Sequence, residues 1–204
     1  MFEVIPYTSD KATEWNAFVD DSKQGTFLLN RNYMDYHSNR FADCSLMIYY
    51  KGKLFALLPA NKSGKTLYSH QGLTYGGLIT GQKATTDSVC EAFSAMNSFL
   101  KAIGIESVVY KAIPWIYHRI PAEEDLYALT HIAKAEMAIR EISSAIQLDN
   151  RIKFSELRRR GIKKAIKANV SISESEDLAD FWTILDNNLE SKYHVRPVHS
   201  LPEL

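Results

Sequence analysis

Cysteine is scarce in this chain of 204 residues: Cys44 and Cys90 stand far apart, with no CxxC pair and no Cys/His cluster. That excludes a disulfide scaffold and a zinc site, and reduced cytoplasm is the expected setting. An excess of either charge is also missing, since Lys plus Arg and Asp plus Glu each number 24. With no global field to attract DNA or an anionic membrane, any anion site must be local. No apolar run approaches the length of a membrane span, and Met1 to Pro6 lacks a basic stretch leading into an apolar one, so neither secretion nor a membrane span is expected.

Catalytic signatures are wanting as well. The six histidines, His37, His70, His118, His131, His194 and His199, show no HExxH or other ligand spacing, so no metal is expected. Neither GxSxG nor a reactive-cysteine signature occurs, and neither GxGxxG nor GxxxxGK[ST] marks a dinucleotide or Walker site.

What is present suffices for a folded protein: 46% hydrophobic and 11% aromatic residues can build a core. Phe2 to Tyr7 reads as a strand, followed by a helix capped at Ser9 with Trp15, Phe18 and Val19 on one face. A shorter helix is predicted over Asn30 to Ser38. The apolar runs Ser45 to Tyr50 and Leu54 to Pro59, joined by Lys51-Gly-Lys53, predict a hairpin turning at Gly52. A strand near Thr66 to Ser69 follows, then a segment with three glycines in ten residues, Ser69 to Leu78. It reads either as a bulge or as a bent backbone where His70, Gln71, Thr74 and Tyr75 hydrogen-bond a substrate.

Residues 85–103 form an amphipathic helix, Ile105 to Ile113 a strand, and a helix from Pro121 buries Leu126, Leu129 and Ala133. Glu136 to Leu148 reads as a long strand. The fold class is α/β in the α+β sense: a mixed, largely antiparallel sheet flanked by helices. Two domains are expected, one over residues 1–150 and the start of another over 151–204. The second opens with a basic helix at 155–168, then a short strand at Val170 to Ser173 and a helix at about 176–190.

On the basic helix, Arg159, Arg160, Lys163, Lys164 and Lys167 occupy an arc of roughly 100° to 240° from Arg158, while Leu157, Gly161, Ile162, Ala165 and Ile166 fill the packing side. It is either an anion-facing surface for a phosphate, a nucleotide-linked substrate or RNA, or an ordinary solvated face. Arg158 to Gly161 half-matches the R/Q-x-x-G-x-G/A pyrophosphate cradle but has Lys163 at the last small position. Ser200-Leu-Pro-Glu203 carries the spacing of a capping box with only Leu204 after it, so a truncated helix is expected.

Several stretches resemble FemAB-type proteins of the GNAT acyltransferase superfamily, bacterial-type proteins that carry two GNAT-like domains in tandem. They are Thr26-Phe-Leu-Leu-Asn-Arg-Asn-Tyr33, Leu58-Pro-Ala-Asn61, Tyr68-Ser-His-Gln-Gly-Leu-Thr-Tyr75 and Ser155 to Ala165, in that order. The resemblance implies an N-acyltransferase that moves an acyl or aminoacyl group to an amine. Residues 1–150 would be a first GNAT-like domain on the acceptor side, and 151–204 the incomplete start of a second. Its acceptor would be a small-molecule or peptide-like amine, and the donor acyl-CoA or aminoacyl-tRNA, with no cofactor bound by this portion. His37, His70, Gln71 and Tyr75 would contact the acceptor, and Arg159, Arg160 and Lys163 would steer an anionic part of either substrate. His37 stands where the family commonly has a basic residue, and Gln71 where Arg is frequent; both point away from peptidoglycan-precursor specificity. The alternative is a non-catalytic ligand- or partner-binding module with a degenerate GNAT fold.

Overall fold

The computed structural model describes residues 1–203, and of His37 the backbone alone; the side chain of His37 and all of Leu204 lie outside the described residues. The chain divides into two units, Met1–Ala145 and Ile146–Leu204.

The first unit is built on two four-stranded sheets. β1 (Phe2–Pro6), β3 (Leu46–Tyr50), β4 (Lys53–Leu58) and β7 (Ile79–Thr80) form one in the order β1-β3-β4-β7, all antiparallel. β2 (Ala42–Asp43), β5 (Asn61–Ser63), β6 (Thr66–Ser69) and β8 (Ser107–Tyr110) form the other, antiparallel except for the β6–β8 pair. The expected mixed, largely antiparallel architecture is therefore present, with its strands divided between two sheets.

The apolar run of β3 follows from burial on both faces. Leu46 and Ile48 join Ala56, Leu58, Val89, Phe93 and Met96 in one core. Met47 points the other way, with Leu57, Ile79, Trp15, Val19 and Leu29 in a second. Strand alternation makes this split inevitable. The β3–β4 hairpin turns through Lys51 and Gly52, both at positive φ, as a two-residue turn matched to strand twist demands.

α1 (Ala12–Asp21) buries Trp15 and Val19. The short α2 (Arg31–Met34) continues into a tight turn to His37, close to the predicted helix. α3 (Thr86–Ala102) matches its predicted span and is capped by Thr85, which shares a reciprocal capping box with Ser88.

α4 (Glu124–His131) starts later than expected, leaving Pro121 outside, and of the expected stripe Leu129 packs against the core, Ala133 is half-buried beyond the helix end, and Leu126 faces outward. Leu126 is 40% exposed, whereas Asp125 and Ala128 are buried. The helix turns a polar side inward because Asp125 has a partner there.

Residues 136–148 form no strand. Met137 and Ile139 are exposed, and the segment has no ladder partner among the described residues, without which an extended chain is not a strand.

In the second unit, α5 (Glu156–Lys167) is capped by Ser155, and α6 (Ala179–Tyr193) ends at His194 in the left-handed region. Between them Val170 to Ser173 is irregular rather than a strand. The apolar side of α5 is not packed: Leu157 is 82% exposed and Ile166 67%. On α6, Trp182, Leu185 and Leu189 are half-buried and Phe181 is exposed. The Ser200 N–H donates to Glu203 Oε2 at 2.6 Å, one half of the expected capping box.

Candidate functional site

Three stretches far apart in sequence converge in the first unit: residues 20–34, the glycine-bearing segment 69–80, and 110–125. Side chains that copy a backbone ladder join the first two. Lys23 N–H donates to the Thr80 carbonyl at 3.0 Å, while Gln24 Oε1 accepts from Thr80 N–H at 2.9 Å and Gln24 Nε2 donates to Thr80 Oγ1 at 3.1 Å.

Lys23 is buried, and its ammonium donates to the Ala84 carbonyl at 2.8 Å and to Glu124 Oε1 at 2.6 Å. The pair needs the extra carbonyl, because desolvating two charges costs more than a bare Coulomb contact returns.

Beneath α2, Arg31 is 1% exposed, with its guanidinium 3.4 Å from the Tyr7 ring centroid and 4.3 Å from that of Trp15. Nη1 reaches the Asp43 and Asp35 carboxylates. Nε and Nη2 find no acceptor among the described residues, and the two ring faces offset part of that cost.

The segment 69–80 is held against β8 and the residue after it. Lys111 N–H donates to Ser69 Oγ at 2.8 Å, and its ammonium donates to the carbonyls of His70 at 3.0 Å and Leu73 at 2.7 Å. Desolvation lowers the pKa of that lysine. Gly76 N–H returns a bond to the Lys111 carbonyl at 3.2 Å. No side chain fits at Gly76, where a Cβ would lie 1.9 Å from the Ser69 carbonyl oxygen.

Tyr110 closes the far end. Its hydroxyl accepts from Leu78 N–H at 2.6 Å and donates to Asp125 Oδ2 at 2.5 Å. Burial drives the pKa of both groups upward, and the proximity of the Asp125 charge raises Tyr110 further.

Of the sequence-predicted residues, the segment brings together His70, Gln71 and Tyr75, and all three are engaged with the protein. His70 is 3% exposed and accepts at Nδ1 from Gly72 N–H at 3.1 Å, which leaves the ring proton of the neutral form on Nε2. Gln71 exchanges two bonds with Asn61: its Oε1 accepts from Asn61 Nδ2 at 2.7 Å and its N–H donates to Asn61 Oδ1 at 2.8 Å. Tyr75 stacks on Tyr117 at 5.2 Å, and its hydroxyl donates to Thr26 Oγ1 at 3.0 Å. Burial raises its pKa, so it is a neutral donor at physiological pH.

Thr26 leads outward. It lines an open cleft of about 580 Å³ together with Asp20, Phe27, Asn30, Asn32, Tyr33 and Arg119. Phe27, 71% exposed, meets the Tyr33 ring edge-to-face at 5.4 Å.

No family model matches the chain, and no curated protein does. Among solved structures it is similar to the Thermus thermophilus protein TTHA1254, in a point-mutant form, at 13% identity and a TM-score of 0.39, covering 72% of this chain and 96% of that one. It is likewise similar to an aminoglycoside acetyltransferase, HMB0005, from an uncultured soil metagenomic sample, at 13% identity and a TM-score of 0.40, covering 72% of this chain and 99% of that one. Likeness of this degree carries no inference about activity.

The cleft itself gives no local sequence signal. Thr26 to Tyr33 stands out in the sequence, but Asp20 and Arg119 are 99 positions apart and meet only through the fold, where the Arg119 guanidinium donates to the Asp20 carbonyl. Arg159, Arg160 and Lys163 lie on α5 in the second unit. There Arg159 and Arg160 pair with Glu156 at 2.6 and 3.5 Å, and all three cations are exposed. Among the described residues no group of His, Cys, Asp or Glu could hold a metal ion, and no helix is long and apolar enough to cross a membrane.

Proposed function

We propose that this chain belongs to an N-acyltransferase of FemAB-like, GNAT-superfamily type, and that its first unit binds the amine acceptor at the cleft beside Thr26. The observation that carries the reading is the Tyr75–Thr26 hydrogen bond of 3.0 Å. It joins, across 49 positions, two stretches that separately resemble FemAB-type proteins, Thr26 to Tyr33 and Tyr68 to Tyr75. Two stretches of the resemblance, bonded to each other at the edge of one cleft, favour a shared task.

The chemistry would be attack of an amine nitrogen on the carbonyl carbon of a thioester or ester. The new C–N bond replaces the C–S or C–O bond, the thiolate or alkoxide leaves, and the nitrogen loses a proton. Such a reaction gains chiefly from positioning and from oxyanion stabilisation, so a binding cleft without a nucleophile is consistent with it. Tyr75 would act as a positioning residue through its bond to Thr26, and His70 and Gln71 would hold the segment that carries it. Arg159, Arg160 and Lys163 would meet an anionic donor such as acyl-CoA or aminoacyl-tRNA. The first unit has no R/Q-x-x-G-x-G/A loop, which supports the second reading of a binding module without catalysis.

Incubation with acetyl-CoA, or with aminoacyl-tRNA, and a panel of primary amines, read by mass spectrometry, separates the two. Donor-dependent acylation is the expected result. Amine binding with no acylation by either donor would leave only the binding module.

A further inference from the structure

We propose that α5 docks in the plane of an anionic phospholipid surface, with Leu157, Ile162 and Ile166 against the acyl boundary and its cations on the lipid phosphates. The inference goes beyond the donor role proposed above, which uses the cations and leaves the apolar side of the helix without a task.

α5 is 12 residues long and buries none of them. A helix of that length is marginal in water unless its apolar face packs on something. Within this unit that face is open: Leu157 is 82% exposed, Ile166 67% and Ile162 41%. Gly161 lies on the same side, and a Cβ at that position would meet nothing within 4 Å. Phe154 before the helix and Val170 after it are exposed as well, so the apolar surface runs past both helix ends.

The charge on the helix identifies the medium that would cover it. Arg158, Arg159, Arg160, Lys163, Lys164 and Lys167 stand against the single carboxylate of Glu156, in a chain whose net charge is zero. The Glu156 pairs with Arg159 and Arg160 are exposed and contribute little. Arg159 and Lys164 mark the two borders of the basic arc. Their stems can lie along acyl chains there while their heads reach phosphates. Arg158, on the apolar side in the first turn, reaches outward in the same way from the helix end. An apolar side flanked by Lys and Arg, with a polar face opposite, is the pattern of a helix lying in a bilayer interface. Each cation near an anionic leaflet adds to the attraction.

Two other occupants fit less well. RNA would engage the cations, but α5 has no aromatic side chain on which a base could stack, and the aliphatic side would stay in water. A protein groove reads anchors three, four and seven residues apart. Here Gly161 stands where the anchor after Leu157 would be, and the next apolar side chain is Ile162. A fluid lipid surface imposes no such register.

Co-sedimentation of the full chain with mixed phosphatidylglycerol and phosphatidylcholine vesicles, against phosphatidylcholine alone, tests the proposal. The chain should sediment with the anionic vesicles only, gain helical signal in circular dichroism, and bind more weakly as salt is raised. Ile162→Ala combined with Ile166→Ala keeps every cation and a strong helix former at each position, and should weaken partitioning about tenfold or more. Lys163→Gln, Lys164→Gln and Lys167→Gln together should weaken it by about fivefold per cation removed. Neither variant should lower the main thermal transition, because α5 buries nothing. Equal sedimentation with both vesicle types, sedimentation with neither, or partitioning unchanged by the double alanine variant would overturn the proposal. So would a single-stranded RNA that binds more tightly than the vesicles and equally well to the double alanine variant, which would make α5 an RNA surface. Vesicle binding is read without an acyl donor, so its failure and that of the acyltransferase reading are separate results.

Discussion

Replacing Tyr110 with Phe removes one oxygen atom and strands two partners. The hydroxyl is enclosed between Leu78 N–H, which donates to it at 2.6 Å, and Asp125 Oδ2, which accepts from it at 2.5 Å. Phe keeps the ring and its packing near Phe93, so the change isolates the polar part. A buried group that loses its partner costs about 1–3 kcal/mol, and two such groups give roughly 2–6 kcal/mol. For a unit of 145 residues, each kcal/mol moves the midpoint by about 2–4 °C. A fall of roughly 4–24 °C in the main thermal transition, followed by tryptophan fluorescence, is expected. The double variant Tyr110→Phe with Asp125→Leu should recover part of the loss, because an apolar side chain needs no partner, while Leu78 N–H stays orphaned. A single-variant shift below about 2 °C would show that water replaces the hydroxyl and would refute the enclosed geometry.

Further predictions concern the same frame. Burial raises the Asp125 pKa in the folded state, so the native protein holds a proton there at pH values where the unfolded chain has lost it. Its contribution is therefore most favourable near and below the ordinary aspartate range and is lost as pH rises through the folded pKa; Asp125→Asn should flatten that slope in denaturant titrations, and an unchanged slope would count against it. Gly76→Ala drives a Cβ onto the Ser69 carbonyl and the His70 nitrogen, backbone atoms that cannot rotate away. It should cost about 3 kcal/mol or more, against roughly 1 for Gly64→Ala, where φ is positive but space is open, as chemical denaturation would measure. Lys23→Met leaves Glu124 buried without its cation and should cost about 3–5 kcal/mol, recovered in large part by Lys23→Met with Glu124→Leu.

Sequence patterning resolved the elements whose identity depends on apolar burial. β3 and β4 read as continuous apolar runs because both faces are covered, and α3 read as a helix because Val89, Phe93, Met96 and Leu100 recur on one buried stripe. Patterning failed where burial is polar. The predicted α4 stripe of Leu126, Leu129 and Ala133 fails at Leu126, because nothing in a periodicity reveals that Asp125 has Tyr110 for a partner. Lys23 and Arg31 are interior for the same kind of reason, being held by Glu124 and by the rings of Tyr7 and Trp15. Residues 136–148 have the composition of a strand, but composition gives only a capacity for pairing and cannot supply the ladder. For the site, the sequence singled out His70, Gln71 and Tyr75, whose side chains bond Gly72, Asn61 and Thr26, and of these partners Thr26 lines the cleft. The cleft residues Asp20 and Arg119 carry no pattern at all, since each is an ordinary surface type until the chain closes.

The bonds that join the three converging stretches span much of the first unit: 49 positions for Tyr75 to Thr26, 56 for Gln24 to Thr80, 99 for Arg119 to Asp20 and 101 for Lys23 to Glu124. Contacts of such separation form late, because loop closure must be met before they return any stabilisation. The hairpin of β3 and β4 and the body of α3 can form from neighbours, whereas the cleft exists only after residues 110–125 have returned to the end of α1. During refolding, ligand binding should thus appear as the slowest event, after helical signal is complete. A nascent chain would have no cleft to offer a ligand until that last closure is made.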